Sequence, residues 1–279
     1  MRFSVRKLST RRRHPIAGLV VLLVGLVVAG GLYAAFAPRA ATAQETSSRD
    51  VEAGRQLFLI GCASCHGKNA TGITTKEGGN YGPTLIGVGA AAVDFQVGTG
   101  RMPMAQSGPQ APRKESEYTA EETRQLAAYV ASLAPGPAIP EAEYFDWRAA
   151  NTEEVKEGGE FFRTNCTACH NSVGAGGALP NGRYAPDIRG VDAKHIYEAM
   201  LTGPQQMPLF SDAVITPEDK RNVIAYVKTL EEQPDYGGLA GGGYGPVVDG
   251  MFTFIIGIGA LVGFAIWIGA HGARVKKQR

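Results

Sequence analysis

The sequence predicts an all-α fold: two tandem helical domains of one kind, a C-terminal transmembrane helix and an N-terminal signal or anchor helix. Three observations carry that reading. A duplication recurs at an offset of 104 residues. Stripes of apolar residues at helical spacing close each copy. Uninterrupted apolar runs occupy both ends of the 279-residue chain.

The N-terminus has a basic start, ending in Arg11-Arg12-Arg13, then a 23-residue apolar run from Pro15 to Ala37. Ala41-Thr42-Ala43 comes next as a small-x-small cleavage pattern. Residues 1–43 are therefore a secretory signal peptide or, because the run can span a bilayer, an uncleaved membrane anchor. Either reading puts the domains after residue 43 on the extracytoplasmic side of the cell membrane, since the positive end stays inside. At the other end Met251 to Ala270 carries no charge over 20 residues, and Arg274, Lys276, Lys277 and Arg279 come after it. The expected transmembrane helix is 251–270, in contact with membrane lipid, and the basic tail 271–279 is cytoplasmic. Gly259-x-x-x-Gly263 reads as a packing face for a partner subunit or as the ordinary glycine content of such helices.

Between the ends the chain repeats itself. Gly54 and Phe58 match Gly158 and Phe162 on stretches that should be helical. Tyr81-Gly82-Pro83-Thr84-Leu85 matches Tyr184-Ala185-Pro186-Asp187-Ile188, and Thr99-Gly100-Arg101-Met102-Pro103 parallels Thr202-Gly203 through Met207-Pro208. Each copy closes on a helix that opens with a threonine N-cap and acids in the first turn, after Thr119 and Thr216. Leu126, Tyr129, Val130 and Leu133 make one apolar stripe; Val223, Tyr226, Val227 and Leu230 make the other. The first domain is placed at 50–134 and the second at 152–232. A proline-rich linker, 135–151, joins them, and a glycine-rich tether, 233–250, leads to the membrane helix. The first copy has eight extra residues between its methionine loop and its last helix, within Ala105 to Tyr118. That insertion reads as a solvated loop or as a docking element.

Each copy contains one Cys-x-x-Cys-His motif, Cys62-Ala63-Ser64-Cys65-His66 and Cys166-Thr167-Ala168-Cys169-His170, and these use all four cysteines of the chain. This is the spacing of c-type haem attachment. The two sulfurs add to the vinyl groups of the porphyrin, and the adjacent histidine ligates the iron. Two covalently bound haem c groups are expected, on Cys62 and Cys65 and on Cys166 and Cys169, with His66 and His170 as proximal ligands. The cores are then class I cytochrome c-like. A Met/His pair fills the iron's coordination shell and raises its potential, which suits electron transfer. Met102 lies 36 residues after His66 and Met207 37 after His170, each between a Thr-Gly loop and a proline. They are the expected sixth ligands; Met104 is the rival to Met102. A carbonyl near Pro83 or Pro186 could accept the proximal ring N–H, or each proline could simply stiffen its loop.

The other signals are bland. Net charge is +2, and no basic stretch interleaved with aromatics lies between the ends, so nucleic-acid binding has no support. His195 and Met200 read as ordinary helix residues. No nucleophile constellation, nucleotide loop or carboxylate pair stands out, so no catalytic residue is assigned to the chain itself.

With these motifs in place, the architecture resembles the dihaem cytochrome c (cytochrome cc) subunit of the actinobacterial menaquinol–cytochrome c reductase, the cytochrome bc-type respiratory complex III. The resemblance covers about residues 50–272. It is strongest in Cys166 through Asn171, Met200 through Pro208 and Ala265 through Ala270; the leader and the 105–118 loop match least. It implies an electron-transfer subunit of an oxidoreductase, without the quinol-oxidising site, assembled with a cytochrome b subunit and a Rieske iron–sulfur subunit. The Rieske centre would reduce the first haem, and the second would pass electrons to an aa-type cytochrome oxidase in a supercomplex. The alternatives are the dihaem subunit of a cbb-type oxidase and a dihaem peroxidase or dehydrogenase partner. A strong C-terminal helix counts against the first, and two matched methionine loops against the second.

Overall fold

The computed structural model describes residues 15–36, 47–76, 79–106, 108–232, 241 and 246–270. The cleavage pattern at Ala41–Ala43, most of the 233–250 tether and the basic tail lie outside them. The N-terminal unit is represented by helix α1, Pro15–Phe36, whose leucines and valines between Leu19 and Val28 are exposed. Both the signal and the anchor reading call for such a helix.

The rest of the chain opens with α2, Ser48–Gly61, capped by Ser47, whose side chain accepts from the Asp50 N–H. The haem motif comes next as the short helix α3, Ala63–His66. A small antiparallel ribbon, β1 (Ile73–Thr74) with β2 (Asn80–Gly82), leads to α4, Gly89–Gly98, and α5, Ala120–Leu133. Thr119 and Glu122 close the start of α5 with a reciprocal cap that satisfies two otherwise orphaned N–H groups. The same order then recurs: α6 (Thr152–Asn165), α7 (Thr167–His170), β3 (Gly177–Leu179) with β4 (Arg183–Ala185), α8 (Ala193–Thr202) and α9 (Pro217–Glu232). Asn151 with Glu154 caps α6, and Thr216 with Asp219 caps α9 in the same reciprocal way. The fold is all-α apart from the two ribbons, which the helical periodicity gave no reason to expect.

One crossing builds each half. In the first, α2 meets α5: Phe58 lies 5.2 Å from Tyr129, ring to ring, at an interplanar angle of 47°. In the second, α6 meets α9: Phe162 lies 5.5 Å from Tyr226 at the same angle. Gly54 and Gly158 set the distance between the helices. A Cβ on Gly54 would stand 1.9 Å from the Gln125 carbonyl oxygen, and one on Gly158 2.0 Å from that of Asn222. An ion pair beside each crossing repeats as well, Arg124 with Asp50 at 2.8 Å and Arg221 with Glu154 at 3.1 Å. Solvent-screened pairs of this kind contribute little. The buried Phe58, Leu126 and Val130, and Phe162, Val223 and Val227, carry more.

The linker is packed at both ends. Pro137 accepts from the Ala91 N–H at the start of α4 at 3.1 Å, while Tyr144 stacks on Tyr197 and Trp147 joins the second core. The two halves meet through α4 and α8. Lys194 reaches the Asp94 carboxylate at 2.6 Å, and His195 meets the Phe95 ring edge-on. The chain ends in a continuous helix, α10 (Pro246–Phe252), a π-type turn (Thr253–Ile258) and α11 (Gly259–Ala270). Its Val248–Ala270 stretch is long and apolar enough to cross a membrane. Among the described residues, a Cβ added at Gly259 or Gly263 would meet nothing within 4 Å.

Candidate haem sites

Each Cys-x-x-Cys-His motif sits on one short helical turn that begins where the preceding helix stops. The Cys62 N–H donates to Phe58 O and the Cys166 N–H to Phe162 O, so the aromatic of each crossing anchors the first cysteine. None of the four cysteines forms a disulfide. Burial, aided by the second thiol, pushes the Cys62 and Cys166 thiols up to about 11.

The histidines are hooked identically. His66 Nδ1 lies 2.7 Å from the Pro83 carbonyl oxygen, and His170 Nδ1 lies 3.1 Å from that of Pro186. A carbonyl can only accept, so Nδ1 carries the proton in each ring and Nε2 is left with its lone pair. Burial holds the His170 imidazole below its usual range, in the neutral form that binds metals. The two prolines therefore do more than stiffen loops: their carbonyls orient the rings.

Around the second motif these residues face one cavity, about 1240 Å³ with its open mouth included. Its lining is mainly apolar, which suits a large planar hydrophobic group. Cys166, Cys169, His170 and Met207 all line it. Met200, buried on α8, forms part of its apolar floor. In the first half, Cys62 and Met102 pack against one hydrophobic cluster around Phe58 and Leu126, whereas Met104 is not among the side chains packed there.

The wall of the second cavity holds residues that the sequence did not single out. Phe95, Arg101, Gln110 and Arg113 of the first half line it, as does His195 at the α4–α8 contact. For Gln110 and Arg113 the sequence signal was the eight-residue excess of the 105–118 loop. Most of that loop's described residues are exposed, yet it is pinned to the second half: Gln110 hydrogen-bonds the Tyr184 backbone, Pro109 O accepts from Arg183 Nε at 3.0 Å, and Ala111 is buried.

Comparison with known proteins fits this geometry. The cytochrome c family profile matches residues 51–134, and that of cbb3-type cytochrome c oxidase subunit III matches residues 153–227. A cytochrome bc1 complex cytochrome c subunit of Corynebacterium efficiens is 42% identical over 283 aligned residues, covering 96% of this chain and 94% of that one. The subunit of the same name from Mycobacterium bovis is 43% identical over 266, covering 94% and 93%. A cbb3-type cytochrome c oxidase subunit FixP from Sinorhizobium medicae is 26% identical over 176, covering 59% and 57%.

Proposed function

The chain belongs to the family of cytochrome bc1 complex cytochrome c subunits, electron-transfer proteins with covalently bound haem c, and we propose that it carries two such groups in series, from a Rieske iron–sulfur protein to a terminal aa-type cytochrome oxidase. The first site comprises Cys62, Cys65, His66 and Met102; the second comprises Cys166, Cys169, His170 and Met207. The observation that carries this reading is the repeated hook, His66 to Pro83 and His170 to Pro186, in two motifs of one geometry.

Haem c supplies a one-electron ferric–ferrous couple. The protein's own part is positional. Pro83 and Pro186 fix the proximal rings. The cysteines hold the porphyrin edge. Buried Phe162, Val223 and Val227 line the second cavity and would exclude water from a haem seated there, which would favour its reduced state. The membrane helix keeps both sites beside their partners, so the second half stands in for a diffusible carrier. The cytochrome b and Rieske subunits are the partners within the complex. The haem domains occupy the extracytoplasmic face, with the C-terminus in the cytoplasm, as the positive-inside rule directs. Of the alternative reading, a cbb-type oxidase subunit, the partial likeness to FixP reaches only the shared domain plan, whereas the bc1 relatives align from end to end.

Affinity purification of the tagged chain from native membranes in mild detergent tests this. Cytochrome b, the Rieske subunit and an aa-type oxidase should co-purify, with two haems c per chain by pyridine haemochrome. Recovery with cbb-type oxidase subunits instead, or one haem per chain, would overturn it.

A further inference from the structure

Two arginines of the first half stand in the wall of the second cavity without a protein anion. Arg101 is half-buried; its Nη1 donates to Thr99 Oγ1 at 2.6 Å, and its guanidinium carbon lies 4.7 Å from the Phe95 ring centroid. Arg113 lies at the same wall, more exposed. Among the described residues neither forms an ion pair, while Arg124, Arg189 and Arg221 each pair with a carboxylate. Two guanidiniums that stay charged at the edge of an apolar cleft, with no carboxylate paired to either, match an anionic ligand there.

The geometry points to a carboxylate-binding site formed by Arg101 and Arg113 of the first domain, which clamps the propionate groups of the porphyrin seated in the second. This rests on the reading that the second cavity holds haem c. Guanidinium forks match carboxylates in a bidentate manner, and partial desolvation strengthens the contact. Arg101 directly precedes Met102, the proposed ligand of the first iron. One dipeptide then touches both sites: Met102 completes the first and Arg101 orients the second. The 105–118 loop, pinned by Gln110 to Tyr184, delivers Arg113 to the same edge.

Neutralising carboxylates near an iron raises its reduction potential, because the extra electron is then less opposed. Redox titration of the purified complex, with haem counted by pyridine haemochrome, tests the site. In Arg101→Gln and in Arg113→Gln the same single wave should move to lower potential. The expected change is about tenfold in the reduction equilibrium, which is about 59 mV for a one-electron couple. Arg101→Lys, which keeps the charge, should recover part of it. Two haems per chain with no wave moved by either variant, or with different waves moved by the two, would overturn the clamp. A wild-type complex with one haem per chain would instead overturn the two-haem reading. Should Arg101→Gln fail to assemble, Arg113→Gln and Arg101→Lys decide alone: an unchanged potential in both, against a lowered one in Arg113→Gln, separates the outcomes.

Discussion

The Gln110 side chain pairs with both backbone groups of Tyr184: Nε2 donates to the carbonyl at 2.8 Å, and Oε1 accepts from the N–H at 2.9 Å. A side-chain amide thus completes the edge of β4 as a neighbouring strand would, and it does so from the other half of the molecule. The two hydrogen bonds should contribute about 1–2 kcal/mol together. Gln110→Ala is expected to lower the melting temperature by about 2–6 °C and to speed amide exchange at Arg183 to Ala185. Unchanged exchange there would show that the ribbon holds without this pin.

Gly54 and Gly158 are tested by substitution to alanine. Either Cβ would press into a carbonyl oxygen of the crossing helix, which is backbone and cannot swing aside. The helices must part, loosening the Phe58–Tyr129 or Phe162–Tyr226 contact. Each variant should lose about 1–3 kcal/mol or more, seen in thermal melts followed at the haem absorbance. Equal stability of Gly54→Ala and the parent chain would mean that the crossing adjusts without cost.

These two cases mark how far the residue pattern reaches. The matched Gly54 and Gly158 were visible as a repeat, and so were the helices around them, because a 3.6-residue stripe and a capping threonine are local signals. The reason for the glycines was not visible, since it lies in a carbonyl on the last helix of each copy, far along the chain. The two ribbons escaped notice for a related reason: segments as short as Ile73–Thr74 have no period to read. The cysteines and histidines were legible because their spacing is itself the chemistry. Arg101 and Gln110 were not, because each acts on the other half of the chain, and no pattern within one copy encodes where two domains touch.

The methionines separate by packing. Met102 joins the first hydrophobic cluster with Cys62, and Met207 lines the second cavity. Met102→Leu and Met207→Leu should each leave haem attached, since the cysteines are untouched. Each should abolish one far-red methionine–iron band and lower one potential, because the thioether's preference for ferrous iron is lost. Met104→Leu should change neither. A lost band in Met104→Leu with Met102→Leu intact would reverse the assignment.

Glu198 provides a pH test of the contact between the halves. It is fully buried on α8, with a carboxylate oxygen within 4.8 Å of one on Asp94 of α4. Burial, reinforced by the Asp94 charge, pushes its carboxyl up to about 10 from an ordinary 4.5. In the folded protein at neutral pH the group is therefore protonated; in the unfolded chain it is ionised. Folding takes up a proton, so its contribution is complete below the unfolded value, declines as pH rises above it, and is lost as pH passes the folded value. Glu198→Gln keeps the shape of the protonated acid and removes the titration. The variant should match the parent near about pH 4 and exceed it near about pH 9, by about 1 kcal/mol or more, since a tenfold change in proton affinity is worth about 1.4 kcal/mol. Melting curves of the two chains across that range read the difference directly. If their pH slopes run parallel, Glu198 is ionised in the fold, and the contact between α4 and α8 is held by Lys194 balancing two carboxylates instead of one.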